Sequence, residues 1–116
     1  MTMYKAVKCK DDFNVSIQAS TRNYCDPRDN FGPYTTVELG FPSAADSLIM
    51  KYAEDSSNPT ETVYGYVPVG IVKALLIKHG GVVQGELPPF HFNAEQALFL
   101  AEALQLLSDE DEANDK

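Results

Sequence analysis

Arg22, Tyr24, Asp26, Arg28 and Asp29 fall within eight consecutive positions of the stretch STRNYCDPRDNFGPYTT, residues 20–36. A guanidinium presents a planar fork of donors that matches a carboxylate or a phosphate, and a neighbouring phenol can stack on a flat partner while its hydroxyl donates. Phe31 and Tyr34 add two more rings, and Cys25 adds a thiol. Two arrangements account for this set. Arg28 can pair with Asp26 or Asp29 and stiffen a loop too long to be stable unaided. Alternatively the forks point outward and, with Tyr24, Phe31 and Tyr34, make a site for a partner or ligand.

Elsewhere the chemistry is sparse. Cys9, Cys25, His79 and His91 are enough ligands for a metal, but without CxxC or HxxxH spacing each would come from a different element. The expectation is no metal and no cofactor. There is no GxSxG and no HExxH, and Cys25 beside Asp26 lacks the cationic neighbour that activates a thiol unless Arg22 or Arg28 folds back on it. Gly80, Gly81 and Gly85 fit neither a phosphate loop nor a dinucleotide fingerprint. The chain reads as a non-enzyme.

The elements that must hold the loop follow from periodicity. Phe13, Val15, Ile17 and Ala19 alternate with polar residues, as in a strand with one dry face, and Lys10, Asp11 and Asp12 supply the turn of a hairpin over residues 3–20. Val7 and Cys9 are expected on its buried side. Pro27 and Pro33 keep the loop out of any ladder, and Tyr34 to Phe41 reads as a third strand with Val37 and Leu39 inward.

Ser43 reads as the N-cap of a short helix reaching about Glu54, with Leu48, Ile49 and Tyr52 on its core side. DSSNPTE is a surface loop, and Thr62 to Val67 a fourth strand with Tyr64 and Tyr66 on one side of Gly65. Pro68 opens a second helix whose Val69, Val72, Leu75, Leu76 and His79 share an apolar arc ending at Gly80 and Gly81. At its last turn His79 is expected to bond free carbonyls. Val82 to Glu86 reads as a fifth strand and Leu87 to Phe92 as an extended connector.

Asn93 and Gln96 form a capping-box pattern before a last helix from Ala94 to about Ser108. Its core arc is expected to be Ala97, Leu100, Ala101, Leu104 and Leu107. Phe99 and Leu106 would then lie outward near Glu95 and Glu102, either covered by neighbouring elements or forming an oligomer contact such as a homodimer. The expected fold is therefore α+β: an antiparallel sheet of four to five strands, N-terminal hairpin plus third strand, packed against about three helices.

At 116 residues the chain can fill one core, so 1–108 is expected to be a single domain and 109–116 an acidic tail. The net charge is −8, half of it in that final run, and no patch of clustered Lys and Arg is present to read a phosphate backbone. Direct nucleic-acid binding is not expected; a basic partner is. No window is apolar enough to span a bilayer and the opening residues form no apolar leader, so the expected location is the cytoplasm and no membrane partner is implied.

In size, acidity and lack of catalytic signatures the chain resembles the small accessory proteins encoded by bacteriophages, among them anti-CRISPR and other anti-defence inhibitors. The resemblance is one of class and assigns no residue. It implies a protein that binds and inhibits a host protein, covering a basic nucleic-acid channel or a subunit interface. With Arg22, Tyr24, Arg28, Phe31 and Tyr34 as anchors, the expected partner is a host protein with a basic surface. The alternative is a binder that sequesters a nucleotide-like small molecule between the loop arginines and a tyrosine.

Overall fold

The structure, a computed structural model, describes residues 3–114, with side chains as far as residue 108. The acidic run 109–116, expected as a tail, lies outside the residues whose side chains are described.

Five short strands form one antiparallel sheet: β1 (Val7–Cys9), β2 (Asn14–Gln18), β3 (Thr36–Gly40), β4 (Val63–Pro68) and β5 (Val82–Gln84), in the order β4-β3-β2-β1-β5. Two helices, α1 (Val69–Lys78) and α2 (Ala94–Asn114), and one 3-10 turn at Met50–Tyr52 complete it. The alternation in the N-terminal hairpin sets Val7 opposite Val15, and Val7, Cys9, Val15, Ile17, Val37 and Leu39 are all fully buried. Opposite them Lys8, Asn14 and Glu38 point away from that core.

α1 covers the dry face through Val69, Val72, Leu75 and Leu76, and α2 packs on α1. A helix with neighbours on two sides must be apolar almost all round, and Gly70 and Ala74 are buried as well. Gly70 lets α2 approach closely: a Cβ there would lie on the Gln96 carbonyl oxygen and 2.8 Å from Phe99 Cβ. The Gln96 side chain accepts from the Gly70 N–H at 2.9 Å, filling one of the free donors of the first helical turn. No helix among the described residues is long and apolar enough to cross a membrane.

Three expectations are corrected. About three helices were expected and there are two, because Ser43–Glu54 does not coil into one. Ser43 is held against β2, its N–H donating to the Asn14 carbonyl and its hydroxyl accepting from the Asn14 N–H. Asp46 uses a side-chain oxygen to accept the Leu48 N–H, a local bond that competes with helix, and turns its carboxylate into the protein. Only Met50–Tyr52 closes a 3-10 turn, although Ile49 is buried and Leu48 and Tyr52 pack on the core.

Secondly, Tyr64 and Tyr66 do not share a side. Val37 pairs with Val67 and Leu39 with Tyr64, so Gly65 and Tyr66 together face Glu38 in a bulge where Tyr66 takes φ 53°. Tyr64 is buried and Tyr66 is exposed.

Thirdly, the buried side of α2 differs from the expected arc: Gln96 and Ala103 are buried, Ala97 and Ala101 are exposed, and Phe99 is half-buried beside Gly70. Phe99 therefore does not point outward as expected. Leu106 does, with 60% of its surface exposed. The close approach at Gly70 fixes which side of α2 faces inward. Of the capping box only one half forms, Gln96 N–H to Asn93 Oδ1 at 3.0 Å, because the Gln96 side chain is engaged by Gly70.

Candidate functional site: an arginine and tyrosine face beside the bulge

The 20–36 loop is pinned from inside by two fully buried residues. Cys25 sits beneath it with its thiol directed at the Ser20 carbonyl, 3.3 Å away. Tyr34 donates its hydroxyl to the Asp29 carbonyl at 2.8 Å, while its backbone bonds the connector at Pro89 and His91. Tyr34 is thus structural and unavailable to a partner, which corrects its place among the expected anchors. Burial pushes its hydroxyl pKa up, and does the same to the thiols of Cys9 and Cys25, which are unbridged.

The loop's acids are occupied by its own donors. Asp29 accepts the N–H groups of Phe31 and Gly32, Glu38 accepts the Tyr24 N–H and the Asn23 side chain, and Asp26 accepts the Thr36 hydroxyl. The pairing of Arg28 with Asp26 or Asp29 does not form, and neither Arg22 nor Arg28 has an ion pair among the described residues. Arg28 lies instead over the Tyr24 ring, 5.5 Å from its centroid.

Tyr24 in turn rests on the bulge. A side chain at Gly65 would meet its Cβ at 3.2 Å, its carbonyl accepts the Tyr66 N–H at 3.0 Å, and the two tyrosine rings lie 5.7 Å apart. The result is a stepped face, Tyr66 to Tyr24 to Arg28, on the outer border of the sheet. Phe31, 84% exposed, and Arg22 stand on the same loop. Sequence reasoning missed Tyr66, because a bulge at a non-glycine residue leaves no compositional mark.

A second cluster lies at the other end of the domain. The His79 ring stacks on Phe13 at 3.9 Å and 9°, with Nδ1 2.7 Å from Asp11 Oδ2 and Nε2 2.8 Å from Asp46 Oδ2. Lys78 reaches the same Asp46 at 3.2 Å. The expected bonds from His79 to free carbonyls are replaced by two carboxylates. With both ring nitrogens bonded to carboxylates, the cluster joins hairpin, helix end and the 43–54 segment as a clasp. Among the described residues no group of three or more His, Cys, Asp or Glu could hold a metal ion.

The loop carboxylates give the fold an acid limit. The carboxyl of Asp29 is held below its ordinary range by the N–H groups of Gly32 and Phe31, that of Asp11 by the Phe13 N–H and then His79, and that of Asp55 by Ser57 and Asn58. A carboxyl that binds its proton less readily folded than unfolded adds stability in full above the ordinary range, near pH 4. That stability is lost as the pH falls through the lowered folded value. The melting temperature followed by circular dichroism should therefore drop steeply below about pH 4, and Asp29→Asn should make that drop shallower. An acid limb unchanged by Asp29→Asn would show that this carboxylate is not in the bonds described.

Comparison with protein-family models, with curated proteins and with solved structures found no match to this chain.

Proposed function

We propose that the chain is a non-enzymatic protein-binding module that grips a partner protein through Arg22, Tyr24, Arg28, Phe31 and Tyr66. One observation carries this reading: Asp26, Asp29 and Glu38 bond N–H and hydroxyl groups of the loop and of β3, and Arg22 and Arg28 are exposed with no ion pair among the described residues. Exposed arginines and aromatic rings together are the residue types that dominate binding energy at interfaces. A net charge of −8 favours a partner that is basic overall, while the face itself takes that partner's carboxylate or phosphate groups. Inhibition of a host protein, the role implied by the class resemblance, belongs to the same proposal.

The nucleotide alternative requires a space between the loop arginines and a tyrosine, whereas Arg28 already lies over the Tyr24 ring. Tyr24 and Tyr66 also meet each other, so no specific observation favours it.

The test is photo-crosslinking in lysate of the source cells, with a benzophenone amino acid at position 31 and, as control, at the exposed Ser56. A discrete adduct is expected only from position 31, lost in Arg22→Glu/Arg28→Glu with the melting temperature unchanged. Equal adducts from both positions, or adducts insensitive to the double substitution, would refute the reading. A rise in melting temperature with added nucleoside triphosphates would favour the alternative.

A further inference from the structure

The two borders of the sheet are treated differently. At β4 the outer border is covered: Tyr66 N–H bonds the Tyr24 carbonyl, Glu54 N–H bonds the Val63 carbonyl, and Ala53 bridges Tyr64. At β5 nothing among the described residues pairs with the outer border. β5 is only three residues long and its pairing with β1 shifts register, but it has no proline and no charge, and Val83 is 59% exposed.

Immediately before and after β5 the chain forms the walls of an apolar groove of about 450 Å³, with Leu76 and Ile77 of α1 on one side and Leu87, Pro88, Phe90 and Phe92 on the other. Lys73 stands at this groove with its ammonium 4.6 Å from the centre of the Phe92 ring. It has no ion pair among the described residues, nor have Lys5 and Lys10, which flank β5 through bonds to Glu86 and Gly81. Of the nearby acids, Asp11 is bonded to His79 and Asp12 to Lys8, while Glu86 accepts the Lys5 N–H and keeps its charge.

From this we infer that the β5 border is a second binding site, one that takes an extended peptide segment of a partner protein by strand addition. Main-chain bonds would run along β5, apolar side chains would enter the groove, and acidic residues would meet Lys73, Lys5 and Lys10. Charge selects this occupant over a second copy of the chain. A second copy seated here would bring its own unpaired Lys5, Lys10 and Lys73 to the same border rather than acids to meet them.

The experiment is a selection of random dodecapeptides displayed on phage against the intact protein, followed by titration of the selected peptides. Expected are sequences with alternating apolar residues and flanking Asp or Glu, whose affinity falls at least tenfold in Lys73→Glu and in Ile77→Glu. Both positions are at least partly exposed, so these variants should melt with the parent. Arg22→Glu/Arg28→Glu should bind the peptides unchanged, which separates this site from the tyrosine and arginine face. Amide exchange at Val82–Gln84 should slow when peptide is bound. A selection that yields no binder, binders lacking acids, or binders indifferent to Lys73→Glu and Ile77→Glu would overturn the inference. So would sedimentation showing a dimer that Val83→Glu dissociates, because the border would then belong to a second copy.

Discussion

Gly70→Ala is expected to lower the stability of the domain by about 2 kcal/mol, the opposite of what helix propensity alone gives. In an unconstrained helix interior alanine is better than glycine by about 1 kcal/mol. Here the added methyl lands on the Gln96 carbonyl oxygen and 2.8 Å from Phe99 Cβ, so backbone must move. Overpacking of that kind costs about 1–3 kcal/mol. The displacement also stretches the bond from the Gly70 N–H to the Gln96 side chain, which is buried and worth about 1 kcal/mol. Gly70→Val should be worse again. Urea unfolding reads the outcome, and an alanine variant as stable as the parent would mean that α2 does not pack as closely on α1 as described.

Asp46→Ala should be more damaging, by about 3–5 kcal/mol, the range for removing one partner from a buried charged cluster. The side chain of Asp46 is only 2% exposed and serves three groups at once: the His79 ring, the Lys78 ammonium and the Leu48 N–H. Its loss leaves the Lys78 ammonium without its ion pair and the His79 Nε2 without its partner at the end of α1, and frees the turn that replaces the expected helix. Asp46→Asn keeps an acceptor for Leu48 and should cost less than alanine. In a double-mutant cycle with His79→Gln, the two losses should fall short of additive, as expected of groups in direct contact. Fully additive losses would show that His79 and Asp46 act independently and that the clasp does not form.

The strands were legible because their burial is periodic. Val7, Cys9, Phe13, Val15, Ile17, Val37 and Leu39 repeat at two-residue spacing and are all buried. That α1 begins just after Pro68 and stops before Gly80 was legible from local stereochemistry, although Pro68 itself closes β4 instead of entering the first turn. What the sequence hid was decided by groups distant along the chain. Ser43–Glu54 has good local credentials for a helix, yet Asp46 faces inward because Lys78 and His79, more than thirty residues on, are there to meet it. The rotation of α2 was set by the absence of a side chain at Gly70, twenty-six residues before Gln96. In the loop, Arg22, Tyr24, Arg28 and Phe31 were identifiable by residue type and are exposed. Tyr34 was of the same type, and only the packing at Gly32 and Pro89 distinguishes it as an internal post.

The covered border at β4 bears on how copies of this protein could ever associate. A sheet open along both margins can be lengthened without limit, each molecule templating the next into a fibre. With Tyr24 and Glu54 bonded along one margin, two copies that pair through β5 leave no open margin between them, so growth between copies halts at a pair.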